Sequence, residues 1–270
     1  MIPRDYITEW RAQMPWPSDE QVEQDLIISR AIVEIFSSDV LANRLAWRGG
    51  TALHKIYLTP AARYSEDIDL VQVAAEPIGV AFDAIRSVLD PWLGEPRRAL
   101  KEERSTLVYF FYPEMFPQRK MRLKIEINSR EHFTELRYVH KEFGVCSRWW
   151  EGHTEVVTYP IEELLGTKLR ALFQRKKGRD LFDLWCSTMK GAPLPPRVLA
   201  CFGRYMQESD ARVSRAEFEE NLANKLRDPT FGADVRPLLR PEIDWDVHIA
   251  AEKVRKAFLA ELPGHPWQGT

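Results

Sequence analysis

The chain has 270 residues, 44% hydrophobic and 29% charged, with a formal net charge of −2. That composition fits a soluble globular protein of one large domain or two smaller ones, with a real core, and excludes an overall polycation. No run approaches the ~18 apolar residues of a membrane span.

The opening Met1-Ile2-Pro3-Arg4-Asp5 has no basic region followed by an apolar run, so no secretory signal is read there. Cys146, Cys186 and Cys201 form no C-x-x-C pair and read as reduced and structural, which suits the cytoplasm. The histidines lack H-x-x-x-H or Cys/His spacing, which argues against zinc.

In chain order, the first helix spans 19–42. Ser18 or Asp19 caps it, and Val22, Leu26, Ile27, Ala31, Ile32 and Ile35 recur at helical spacing. Leu45-Ala46-Trp47-Arg48 is a short apolar strand that stops at Gly49-Gly50, and 51–57 reads as a short helix. After a loop at 59–64 comes a strand over 67–73, and Pro77 opens a helix to about residue 93. Strands follow at 106–112 and 121–128, with Pro113 and Pro117 marking the turn between them, and again at 143–148 and 154–159. From Pro160 on, only helical patterns recur, over 161–176, 180–190, 196–208, 214–227 and 246–262. The last sets Val247, Ala250, Val254, Ala257 and Phe258 on one face. The tail beyond Leu262 reads as loose. The expected fold class is α+β: a mixed β-sheet lobe with flanking helices over 1–159, then an all-helical lobe over 160–270.

The densest chemical signal is Ser65-Glu66-Asp67-Ile68-Asp69-Leu70. Strand alternation sends Asp67 and Asp69 to one side and Ile68 and Leu70 into a core. Two carboxylates fixed on one face suit Mg²⁺, which takes one or two protein carboxylates plus phosphate oxygens; an ordinary edge strand with a solvated acidic face would read the same. Glu66 falls on the other side of the strand, as a bystander or rim residue. Upstream, Arg48-Gly49-Gly50-Thr51 joins a strand end to a helix start. Glycine permits close backbone approach, and a helix start offers unpaired N–H groups to an anion. The alternative is a tight turn with Thr51 as helix cap. Downstream, Lys124, Glu126 and Asn128 share one face of their strand. Glu126 is a candidate third acid, for metal binding or for taking a proton from an attacking hydroxyl, or one residue of a solvated sheet face.

The last cluster lies at the start of the helical region. Lys168 and Arg175 share a helix face, Gly178 breaks the helix, and a new one begins at Asp180 with Asp183 three residues on. A lysine aimed at phosphates offsets charge in phosphoryl transfer. Taken alone, Asp180 reads as a helix N-cap and Asp183 as a favourable first-turn charge. The basic run Arg175, Lys176, Lys177, Arg179 is either solvated surface or a phosphate contact.

The Gly-Gly-Thr turn, the S-x-D-x-D strand, the helical lysine and the R-D-x-x-D helix start, in this order over roughly residues 45–185, resemble the AbiEii/AbiGii-type nucleotidyltransferase toxins of the DNA polymerase β-like superfamily. The stretch between Gly50 and Asp67 is longer than in compact polymerases and fits the toxins. The resemblance implies a nucleotidyltransferase-like first lobe and an enzyme from the toxin half of toxin–antitoxin and phage-defence pairs. It would use a nucleoside triphosphate and transfer nucleotides to RNA, with a tRNA 3′ end as acceptor, blocking translation. It further implies that Arg48, Gly49, Gly50, Thr51 and Ser65 line the triphosphate, that Asp67 and Asp69 bind Mg²⁺ in a two-metal site, and that Lys168 contacts the triphosphate. Asp180 or Asp183 would be a further catalytic acid. A cognate antitoxin is the implied protein partner, and Arg119, Lys120 and Arg122 or the 175–179 run would guide RNA. Two alternatives stand beside this: transfer to a small molecule or protein hydroxyl, and a non-catalytic nucleotide-binding partner protein.

Overall fold

The computed structural model describes residues 2–100, 104–114, 117–191 and 194–269. By internal contacts the chain divides into two units, Met1–Thr134 with Tyr138–Tyr159, and Glu135–Arg137 with Pro160–Thr270.

The first unit opens with a helix the apolar pattern does not announce, α1 (Arg4–Gln13), of which only Ile7 and Trp10 are buried. The Trp10 indole N–H anchors it by donating to Asp25 Oδ1 at 3.0 Å. Helix α2 (Asp19–Phe36) is capped by Ser18, whose hydroxyl accepts from the Gln21 amide while the Gln21 side chain accepts from the Ser18 amide. The expected single helix over 19–42 is two: after Phe36 the chain passes Ser37-Ser38 before α3 (Asp39–Ala42). Serine favours caps over helix interiors, so the pair marks the joint. Then come β1 (Leu45–Arg48), α4 (Gly49–Ala52) running into a π-helical turn (Leu53–Tyr57), β2 (Asp67–Gln72) and α5 (Ile78–Leu93). The unit closes with β3 (Arg97–Leu100), β4 (Arg104–Phe111), β5 (Met121–Asn128), β6 (Val139–Cys146) and β7 (Glu151–Thr158).

Among the described residues seven strands form one mixed sheet in the order β3-β4-β5-β2-β1-β7-β6. β2 runs parallel to β5 and β1 parallel to β7; the other neighbours are antiparallel. β3 was not expected, since Arg97-Arg98-Ala99-Leu100 has no apolar alternation; pairing with β4 makes it a strand. β6 and β7 begin earlier than expected, at residues 139 and 151, because their hairpin register sets Cys146 opposite Glu151. The turn between β4 and β5 falls partly outside the described residues. Alternation holds over the first half of β2 and along β4 and β5, whereas β1 and the end of β2 are buried on both faces. Ile68, Leu70, Leu107, Tyr109, Leu123, Ile125 and Ile127 are buried, and the residues between them open to the other face.

The second unit is helical: α6 (Ile161–Gln174), α7 (Gly178–Met189), α8 (Pro195–Gln207), α9 (Arg215–Leu226), α10 (Pro229–Ala233) and α11 (Val247–Ala257), with 3-10 turns at Arg236–Leu238 and Leu259–Glu261. Phe182, Trp185 and Trp245 pack as a triangle with centroids 5.2–5.6 Å apart. The segment 135–137 belongs here because buried Glu163 accepts from the amides of Glu135 and Leu136, at 2.8 and 2.9 Å, and from the Tyr205 hydroxyl at 2.8 Å. Gly178 does not break a helix but starts α7. A Cβ there would collide with the Phe231 carbonyl, so the position needs glycine for close approach. The last helix ends at Ala257, short of residue 262. The tail is not loose: the Pro263 carbonyl accepts from the Arg215 amide at 2.8 Å, and the Trp267 amide donates to Glu219 at 2.9 Å.

Candidate functional site

The open face of β2 carries Asp67 and Asp69, both partly exposed, with Ile68 and Leu70 buried behind them. β5 lies alongside in register, Lys124 beside Asp67 and Glu126 beside Asp69. Glu126 therefore reaches the aspartate face, and its carboxylate is held by Lys124 at 2.9 Å. Lys124 was legible as a residue of that face, but not as the counter-ion of Glu126. Glu66, just ahead of the strand, is exposed.

Acid crowding has an electrostatic consequence. Burial, then the charge of Asp69, pushes the Asp67 carboxyl up to about 6, with Glu126 and Glu66 adding to the rise and Lys124 opposing it. Hard oxygen donors with uncompensated negative charge fit a divalent cation such as Mg²⁺. Asp67 and Asp69 are the two residues of this face that could hold one. Among the described residues no three His, Cys, Asp or Glu side chains form a ready ligand group.

β1 brings the glycine turn to the same place, with Arg48 paired to Asp69 in register. Gly49 has φ +81°, and a Cβ built on it would lie 2.9 Å from both Cβ and Cγ of Asp69. Two independent constraints thus demand glycine: a left-handed backbone and a carboxylate where a side chain would be. Thr51 is buried, and its hydroxyl lies 2.6 Å from both the Ser65 hydroxyl and the Asp67 carbonyl. One hydroxyl has one proton, so Thr51 donates to the carbonyl and accepts from Ser65. The hydroxyl caps no helix; it faces the strand entry, clamping Ser65 and Asp67. Gly50 is buried within α4. The Arg48 guanidinium pairs with Glu131 at 2.5 Å, and the Asn128 side chain orients Glu131 by accepting from its amide at 3.0 Å. That ion pair had no sequence signal, since 83 residues separate its members.

Lys168, Asp180 and Asp183 form a buried cluster in the helical unit. The Lys168 ammonium sits 3.1 Å from Asp180 Oδ1 and 2.8 Å from Asp183 Oδ2, and both aspartates are fully buried. Arg175 adds a two-pronged contact to Asp180 at 2.7 and 2.8 Å. Burial alone would raise the Asp180 carboxyl, but Lys168 and Arg175 outweigh it and hold it below the ordinary range. Asp180 is thus no helix cap: α7 starts two residues earlier, and this carboxylate serves the ion cluster. Of the basic run, Arg175 is engaged with Asp180 and Lys176 with Asp228, while Lys177 is exposed.

A family model described as Nucleotidyl transferase AbiEii toxin, Type IV TA system, matches residues 30–253. Among solved structures the fold is similar to MenT4, a nucleotidyltransferase toxin from Mycobacterium tuberculosis, with TM-score 0.68, 18% identity and coverage of 97% of this chain and 91% of that one. It is also similar to JHP933 from Helicobacter pylori, with TM-score 0.53, 19% identity and coverage of 88% and 89%. At these identities the likeness is one of fold. No curated protein matches.

Proposed function

The chain belongs to the AbiEii nucleotidyl transferase toxin family of type IV toxin–antitoxin systems, and from that premise we propose that it transfers nucleotides from an NTP to an RNA acceptor, a tRNA 3′ end, and so blocks translation. It is a nucleotidyltransferase. In the proposed reaction the acceptor hydroxyl attacks the α-phosphate and pyrophosphate leaves.

The observation that carries this reading is the Gly49 backbone pressed against Asp69 on an acid-rich strand face. It sets a side-chain-free backbone beside two carboxylates, as a metal-bound triphosphate requires. Asp67 and Asp69 would hold Mg²⁺, which when bound offsets phosphate charge and sharpens the nucleophile. Gly49, whose missing side chain admits the Asp69 carboxylate, and Gly50 would offer backbone N–H groups to phosphate oxygens, and Thr51 with Ser65 fixes the entry to β2 so that Asp67 stays in place. Glu126, oriented by Lys124, takes the proton of the attacking hydroxyl. In the helical unit, Lys168 keeps the role of triphosphate contact and Asp180 or Asp183 that of a further acid, as part of this proposal.

Purified protein with labelled NTPs and total RNA tests the proposal. Label should enter tRNA, depend on Mg²⁺ and vanish in Asp67→Ala. Persistent labelling of protein or of a small molecule, with none in RNA, would instead support the other acceptors. An antitoxin partner, a role against phage and a cytoplasmic site of action are part of this proposal. The antitoxin is tested by whether a neighbouring gene neutralises toxicity, and the role against phage by whether the pair lowers phage plating. Among the described residues no helix is long and apolar enough to cross a membrane.

A further inference from the structure

The sheet face that carries Asp67 and Asp69 continues outward across β5, β4 and β3, and its character changes from acidic to basic and aromatic. Register places Lys124 opposite Val108, Arg122 opposite Phe110, and Arg97 opposite Val108, so all of these side chains lie on the aspartate face. Phe110 is partly exposed there, where strand alternation continued from Leu107 and Tyr109 leaves an open position. Two cations flank its ring: Lys120 Nζ lies 4.3 Å and the Arg97 guanidinium 5.0 Å from the centroid. Tyr112, two residues on, is 52% exposed. Among the described residues Arg97, Lys120 and Arg122 have no carboxylate partner. Their neighbours Arg98 and Arg119 are engaged by Asp83 at 3.7 Å and Glu20 at 2.7 Å.

We propose that Phe110, with Arg97, Lys120 and Arg122, is a stacking platform for a single-stranded nucleic-acid acceptor on its way to the two aspartates. The inference rests on the nucleotidyltransferase reading and names where the acceptor strand lies. Two strands across and two residues along from Asp67 put Phe110 roughly 12 Å away by strand spacing, about two nucleotides back from the reacting end. An exposed cation–π contact is worth ~0.5–1 kcal/mol, whereas a base stacked on an aromatic ring is worth ~1–3 kcal/mol. A base therefore displaces one cation from the ring, and the freed cation meets the backbone phosphate beside that base. Unpaired basic side chains next to an open aromatic face favour nucleic acid over an acidic protein, which would leave the ring unused.

The test uses the full chain and a fluorescent single-stranded oligoribonucleotide, followed by anisotropy, with NTP binding measured in parallel. Phe110→Ala should weaken oligonucleotide binding by 5-fold or more, and Phe110→Trp should restore it. Arg97→Ala with Lys120→Ala should lower the salt slope by about 1.4, at ~0.7 for each phosphate no longer neutralised. NTP binding should not change in any of them. The proposal is overturned if the wild type does not bind the oligonucleotide, if Phe110→Ala binds it as tightly as wild type, or if the patch captures polyglutamate and not RNA. Oligonucleotide binding that depends on Phe110 in a protein that binds no NTP would support the platform and remove the transferase reading. NTP binding without oligonucleotide binding would do the reverse.

Discussion

Replacing Asp67 by Asn should inactivate the protein and stabilise it. Burial and the charge of Asp69 move the Asp67 carboxyl from 3.8 to about 6 in the folded state. At 1.36 kcal/mol per pH unit this corresponds to ~3 kcal/mol of folded-state penalty on the ionised form, and ~1–2 kcal/mol after allowance for its partial exposure. A carboxyl whose folded value lies above its unfolded one favours folding at low pH. The penalty is absent below pH ~3.8, grows between there and pH ~6, and is complete above. Asn removes the charge and keeps the shape. At pH 7.5 without divalent metal, Asp67→Asn should raise the unfolding midpoint by several degrees, since ~1 kcal/mol moves a chain of this size by ~2–4 °C. Near pH 4 the two proteins should melt together. Mg²⁺ should stabilise the wild type, by ~2.7 kcal/mol at a hundredfold excess over its Kd, and leave the variant largely unmoved. Scanning calorimetry over a pH series, with and without Mg²⁺, reads all three effects. A variant that melts at or below wild type at pH 7.5, or whose gain persists unchanged at pH 4, would refute the electrostatic argument.

Gly49→Ala should cost more than ~2 kcal/mol by denaturant titration and abolish transfer, because the methyl meets Asp69 and the φ of +81° disfavours any side chain. Gly79→Ala, with open space around it, is the matching control and should be neutral. Lys168→Met should destabilise by ~3–5 kcal/mol by taking one cation from two buried carboxylates, Asp180 and Asp183, and adding Asp183→Asn should recover part of it. Because Lys168 and Arg175 hold Asp180 below the ordinary carboxylate range, its contribution is present at neutral pH and lost as acid protonates it. Tryptophan fluorescence followed on acidification should therefore show this contribution lost only below the ordinary carboxylate value of 3.8. Thr51→Val should cost ~1–2 kcal/mol by leaving the Asp67 carbonyl and Ser65 without their partner, with a larger loss in transfer than in NTP binding.

Local rules made much of this protein legible from its sequence. Two-residue alternation set Asp67 and Asp69 on one face and Ile68 and Leu70 in the core, and the switch to helical periodicity at Pro160 marked the helical region. The order of the four motifs pointed to the family, which the match over residues 30–253 shows. Tertiary structure decided what depends on partners distant in sequence. Pairing with β4 made a strand of Arg97–Leu100, and strand register brought Glu126 beside Asp69 and turned Lys124 into its counter-ion. The Thr51 hydroxyl went to Ser65 and the Asp67 carbonyl, which no local pattern specifies. Gly178 read as a helix breaker, but the Phe231 carbonyl, 53 residues on, needs the room of its missing side chain. Period and spacing fix which face a side chain takes; burial, charge compensation and close backbone approach depend on what arrives opposite, and only the folded chain supplies that.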